Sequence, residues 1–203
     1  MPYLAQTEGL IRSIYPPAPV VCGVKLHPLT LGHLAQMEAL GVFDQLEKIE
    51  TVGGGLVQGV AICSNTFERS LELVNTGEWE AECERVGGEM FKHDVDQGIK
   101  DFNEYLRDSQ DLPDSWSKTK DGGGGFGGDW RTSLKLSIQS ELHVSENDVW
   151  NMYLTQIIFE HYSLMERKGA LSFVTPAQRR QQEEVKAMEP EIIEHVRRLG
   201  LCR

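Results

Sequence analysis

The chain has 203 residues, 40% hydrophobic and 25% charged, with a formal net charge of −11. That composition is globular, and it excludes wholesale disorder. No apolar run approaches the roughly 18 residues needed to span a bilayer, so no membrane partner is expected. The charge is uneven: residues 1–108 carry 17 acids and 8 bases, whereas residues 130–203 carry 10 of each. An acidic first half repels phosphate backbones, so direct nucleic-acid binding is not expected.

The N-terminus, MPYLAQTEGLIRSIYPPAPV, has neither a basic leader nor an apolar core, and is read as carrying no secretory signal. A short helix is expected over Thr7 to Ile14, after which Pro16, Pro17 and Pro19 impose an extended path. Val20 to Leu26 is β-branched and apolar, and reads as one short strand or strap. Thr30 is placed to cap a helix whose Leu31, Leu34, Met37 and Leu40 share a face, and Gly41 suits its left-handed end.

A second helix is expected after Gly53-Gly54-Gly55, with Leu56, Val60, Ala61, Phe67, Leu71 and Leu73 inward, broken at Asn75-Thr76-Gly77. A short acidic helix, EWEAECERV, follows until Gly87-Gly88 interrupts it. From Glu89 to Arg107, Phe91, Val95, Ile99, Phe102 and Leu106 form one stripe. Residues 109–129 hold six glycines in seven positions and read as a linker, since each glycine costs about 1 kcal/mol against alanine in a helix.

Trp130 to Leu142 reads as a helix with Leu134, Ile138 and Leu142 inward. Ser145, with Asp148 three residues later, opens one long helix that runs to Gly169. Thr175-Pro176 opens a polar helix to Met188, and Pro190 precedes a last short amphipathic one. The expected fold is therefore mainly α: a multi-helix, bundle-like domain with one short extended N-terminal segment and a Gly-rich linker before a C-terminal helical part. The units are 1–108, acidic and helical; 109–129, the linker; and 130–203, a helical subdomain, with packing of the two helical parts as one domain left open.

No motif carries catalysis. The glycine run is followed by Asp129 and Trp130 rather than Gly-Lys-Ser/Thr, so it is not a phosphate loop. His27 and His33 lack further ligands nearby, and Glu89/His93 and Glu191/His195 lack the Glu-x-x-His spacing of a di-iron bundle. Cys22, Cys63, Cys83 and Cys202 stand singly, which suits a reducing, cytoplasmic setting. No catalytic residue, metal or cofactor is expected.

Two segments bear a resemblance. VKLHPLTLGHLAQMEALGVF supplies Lys25, Leu26, Pro28, Leu29, Thr30, Leu31, Gly32 and His33. The later segment from Trp130 to Gln178 supplies Trp150, Met152, Leu154, Glu166, Gly169 and Thr175. Together they resemble phage and prophage tail proteins of the tail-assembly-chaperone type, over about half the chain; residues 76–129 have no counterpart.

The resemblance implies a non-enzymatic protein of the host cytoplasm that binds an apolar, helical tape-measure chain or another tail protein. Self-association is a further possibility. A virion tail or head-completion component and an acidic inhibitor of a host defence protein are the alternatives. Trp116, Phe126, Trp130, Trp150, Tyr153 and Ile157 are the expected partner contacts.

Overall fold

Val20–Val21 (β1) and Val24–Lys25 (β2) pair antiparallel in a computed structural model that describes residues 16, 18–48, 51–110, 115–117, 130–174, 178, 180 and 181. The expected helix at 7–14 and the segments from Thr175 onward, save three residues, lie outside the described residues. The single strap expected over 20–26 is instead a hairpin. Cys22 (φ 45°) and Gly23 (φ 77°) both take positive φ, as a two-residue turn matched to strand twist requires. Gly23 also has the His93 ring against it, where a Cβ would stand 2.5 Å from Nε2.

Six helices follow among the described residues before the glycine-rich segment. They are α1 (Leu31–Ala39), α2 (Val42–Leu46), α3 (Val52–Cys63), α4 (Phe67–Thr76), α5 (Trp79–Met90) and α6 (Val95–Ser109). Within it lies β3 (Ser115–Ser117), and after it come α7 (Trp130–Leu142), α8 (Glu146–Asn151), α9 (Leu154–Arg167) and β4 (Leu171–Phe173). The fold is mainly helical, as the periodicity predicted.

Several boundaries move for identifiable reasons. The glycines at 53–55 lie inside α3 rather than before it. A Cβ on Gly55 would meet Gln45 Cβ at 2.9 Å and the Leu46 amide nitrogen at 3.0 Å, so its bareness lets α2 and α3 touch backbone to backbone. The helix drawn from Leu56 to Leu73 is two helices, because Thr66 Oγ1 accepts from the Arg69 amide and caps α4 afresh. Gly87-Gly88 does not interrupt α5. The break comes later, where Asp94 caps α6 by accepting from the Gln97 amide. Phe91, expected inward, falls in that break and is 69% exposed.

The segment 109–129 is not featureless. Ser109 closes α6 and is buried, and Ser115–Ser117 pairs with β4 in the register Ser115↔Phe173, Trp116↔Ser172, Ser117↔Leu171.

One apolar cluster runs from Val21 through Leu56, Val60 and Ile62 of α3 and Phe102 of α6 to Ile138 of α7 and Leu154, Ile157 and Leu164 of α9. The described parts on both sides of the glycine-rich segment therefore share a core. Helix α3 is its axis. Gly59 lies so close to Phe102 that an added Cβ would stand 2.6 Å from the ring.

Candidate functional site

Between β2 and α1 the chain crosses the core as an extended strap, and its backbone polar groups reach four other segments. The Leu26 amide donates to the Pro19 carbonyl (2.9 Å), and the His27 amide to the Cys63 carbonyl at the end of α3 (2.7 Å). Tyr105 Oη of α6 donates to the His27 carbonyl (2.8 Å). The Leu29 carbonyl accepts from the Leu154 amide (2.8 Å), and the Leu31 amide donates to the Met152 carbonyl (3.4 Å). These last two bonds form an antiparallel bridge, Thr30↔Tyr153. Extended backbone in a core needs its polar groups matched, and here the partners come from four separate parts of the chain. The side chains of Leu26, Leu29 and Leu31 add buried apolar surface, each 0–1% exposed.

The bridge explains the main departure from the sequence reading. One helix was expected from Ser145 to Gly169. Its two ends are as predicted: Ser145 Oγ accepts from the Asp148 amide, and Gly169 (φ 75°) closes a motif in which its amide reaches the Glu166 carbonyl and that of Ala170 the Met165 carbonyl. In the middle, Met152 (φ −65°, ψ 142°) and Tyr153 (φ −61°, ψ 136°) are extended, and the helix is split into α8 and α9. No proline or glycine stands there. The cause is the strap, which draws the Leu154 amide and Met152 carbonyl into strand-like pairing.

The start of α1 is fixed by a reciprocal cap. Thr30 Oγ1 accepts from the His33 amide (3.1 Å), while His33 Nδ1 accepts from the Thr30 amide (3.3 Å), histidine filling the usual glutamate position. His33 is 1% exposed, stands edge-on to Phe67 at 6.1 Å, and its Nε2 makes no hydrogen bond. Burial pushes the ring down to about 4, opposed in part by the nearby Asn65 and Thr66 backbone, with His27 adding a small lowering. The ring is neutral at pH 7. Gly32 is bare because the Phe67 ring lies on it, 2.5 Å from where a Cβ would stand. Deeper along α1, Ser70 Oγ donates to Gln36 Oε1 (2.6 Å) and Gln36 Nε2 to the Ser70 carbonyl (3.2 Å), a closed buried pair between α1 and α4.

Of the six residues expected to meet a partner, the side chains of Trp130, Trp150, Tyr153 and Ile157 are described, and they lie in different surroundings. Tyr153 sits at the bridge, 39% exposed. Trp150, half-buried, lies three residues before it, and Lys135 Nζ stands 4.9 Å from its ring centroid. Trp130 opens α7 and is 36% exposed; its neighbour Arg131 pairs with Glu38 at the far end of α1. Tyr153 and Trp130 are thus at opposite ends of a nine-residue helix, about 13 Å at 1.5 Å per residue. Trp116 is known by its backbone, which pairs with Ser172, and Phe126 lies outside the described residues.

Ile157 is a correction: it is 0% exposed and belongs to the core. The apolar arc of α9 is wide because that helix packs against both α7 and β4. Leu136, exposed on α7, was not anticipated, since a lone leucine off the inward stripe gives no sequence signal.

Burial raises the Cys63 thiol to about 12 and Cys83 to about 11, and raises Cys22 as well, so none of these is a thiolate at pH 7. Ser137 Oγ and His161 Nδ1 are 3.2 Å apart. Both are mid-helix, where the backbone amides are committed to i−4 carbonyls and cannot form an oxyanion hole. Glu89 and His93 form an exposed contact at 4.0 Å on a surface where Glu89 also meets Lys92; Glu191 and His195 are outside the described residues. Among the described residues no three His, Cys, Asp or Glu side chains could share a metal ion, and no helix is long and apolar enough to cross a membrane. Comparison with protein-family models, curated proteins and solved structures gives no match.

Proposed function

We propose that this chain is a non-enzymatic binding protein of the tail-assembly-chaperone kind, which covers the apolar stripe of a helical tape-measure chain or another tail protein in the host cytoplasm. The observation that supports this reading is the Thr30↔Tyr153 bridge. The two segments that carry the resemblance lie on either side of the glycine-rich stretch, and they meet there through paired backbone bonds. A signature that needs both segments has a physical basis if both build one joint. The inert cysteines and closed histidine cap are consistent with binding rather than turnover.

The contact residues in this reading are Tyr153 and Trp150 beside the joint and Trp130 at the start of α7, with Ile157 withdrawn from the set. An acidic surface keeps the complex soluble while the apolar stripe is covered. In the described residues of the first half, Arg69, Arg85, Lys92 and Arg107 are each paired with glutamate, and the excess of acids over bases in that half remains after such pairing.

Co-expression with the tape-measure chain encoded beside it, followed by affinity capture, tests the reading. A complex weakened at least tenfold by Tyr153→Asp or Trp130→Asp is expected, since both side chains are exposed enough to change without unfolding the core. Absence of any complex would overturn it. Recovery of the chain from purified particles would instead favour the virion-component alternative.

A further inference from the structure

Three observations about the Met152–Tyr153 joint point the same way. First, the split between α8 and α9 has no local cause. The sequence ENDVWNMYLTQIIFEHYSLMER contains neither glycine nor proline, and the helix is capped at Ser145 and terminated at Gly169 as one unit would be. Second, what holds the joint extended is tertiary: the Leu154 amide on the Leu29 carbonyl and the Leu31 amide on the Met152 carbonyl, the latter at a long 3.4 Å, with Asn151 Nδ2 donating to Glu68 and Lys135 pairing with Glu146 to hold α8 beside it. Third, an alternative is available to the same backbone. With Met152 and Tyr153 helical, the amides of Tyr153 to Gln156 would face the carbonyls of Val149 to Met152 in the i−4 pattern. A segment with two hydrogen-bonding solutions and no local preference for the observed one is the material of a switch.

We infer that the Met152–Tyr153 joint is a two-state element: bridged to the strap it is extended and divides the helix, and released from Leu29 and Leu31 it closes residues 146–167 into one continuous helix. The bridged state dominates because Leu154 and Ile157 are buried with the strap leucines. Release swings α8 relative to α9. It carries Trp150 and Tyr153 with it, and frees the strap's outward Leu29 carbonyl and Leu31 amide for another extended chain. The inference concerns this chain alone and does not depend on the identity of any partner.

The dihedrals supply a discriminating pair of substitutions. Tyr153 has φ −61°, already the value proline imposes, and Met152 has the extended ψ that a residue before proline prefers. The bridge donors are Leu31 and Leu154, so the Tyr153 amide is not needed for it. Tyr153→Pro therefore suits the bridged state and opposes the continuous helix, where it would stand mid-helix. Tyr153→Ala removes the same ring but favours the continuous helix.

The measurement is carbon-13 saturation transfer on the Met152 Cα in the full chain, which reports a minor state with a helical shift. A minor helical state is expected in the unaltered chain and a larger one in Tyr153→Ala. In Tyr153→Pro it should be about a hundredfold less populated than in Tyr153→Ala. A second test uses Thr30→Cys with Tyr153→Cys in a Cys83→Ser, Cys202→Ser background. Flanked by the two bridge bonds, this is a non-hydrogen-bonded pair, whose usual Cα spacing of about 4.5 Å suits a disulfide. The minor state should vanish on oxidation and return on reduction. No helical minor state in either the unaltered chain or Tyr153→Ala would overturn the inference. So would equal populations in the proline and alanine variants, or in the oxidised and reduced staple.

Discussion

Acidification should loosen this fold through His33, and the size of the effect follows from its burial. The ring is 1% exposed and held down to about 4, against an ordinary value of 6.5. In the unfolded chain it binds a proton below about 6.5; in the folded chain it does so only below about 4. Between those values the unfolded state holds more protons, so stability falls as the pH falls through that window. At about 1.36 kcal/mol per unit, the full loss is about 3 kcal/mol, and most of it is spent between pH 6.5 and pH 4.5.

The assay is urea denaturation at pH 7.0 and pH 4.5, comparing the unaltered chain with His33→Gln. Glutamine at this position keeps the reciprocal cap with Thr30 and removes the titration. Other groups titrate too. Burial also lowers His161, with Lys168 adding to it, and the arginine beside Glu82 and the lysine beside Glu146 hold those carboxyls low. They are common to both proteins and cancel in the difference. The unaltered chain should lose about 2 kcal/mol more than His33→Gln over this interval. Parallel losses in the two proteins would refute the argument.

Glycine substitutions should split by environment. Gly32→Ala drives a Cβ into the Phe67 ring and should cost about 1–3 kcal/mol in urea denaturation, whereas Gly88→Ala, in open space within α5, should stabilise by about 0.5–1 kcal/mol. Ser70→Ala leaves buried Gln36 without its hydroxyl partner and should cost about 1–3 kcal/mol, with Ser70→Thr no substitute because the site is fully enclosed. Tyr105→Phe removes the donor to the His27 carbonyl and should lower the unfolding free energy by about 1 kcal/mol or more, while leaving the far-ultraviolet helical signal unchanged.

Much of the local structure was legible because its causes are local. Thr30, Ser145, Gly41 and Gly169 cap or stop helices through contacts within four or five residues, and all four do what their neighbours predict. The glycines at 53–55 and 87–88 misled because a helix held by tertiary packing absorbs the roughly 1 kcal/mol each one costs; Gly55 alone is demanded by close packing, against α2, while Gly53 and Gly88 face open space. The site was less legible still. Trp150 and Tyr153 could be picked out, but Ile157 could not be told from them by spacing, since an apolar arc is wide whenever a helix packs on two sides. The Leu29–Leu154 and Leu31–Met152 bonds join residues more than 120 apart and use only backbone atoms, which no side-chain pattern records.

Val24 and Leu26 are buried and alternate with exposed Lys25 and His27, as an extended chain shows alternate sides, and from Leu29 to Leu31 every residue is buried where the strap meets α8 and α9. Pro28 stands where the backbone donates to nothing, between His27, whose amide goes to Cys63, and the Leu29 carbonyl, which goes to Leu154. Thr30 serves both neighbours, bridging to Tyr153 through its backbone and capping α1 through its hydroxyl, and Gly32 admits Phe67. His33 then completes the cap with one ring nitrogen and leaves the other buried and unbonded. Glutamine would cap as well, but without a group that titrates. Histidine at this place makes the strap's anchor sensitive to protons, and the joint beyond the bridge is the element its loosening would release first, because the two bonds it holds are the strap's only backbone link to α8 and α9 among the described residues.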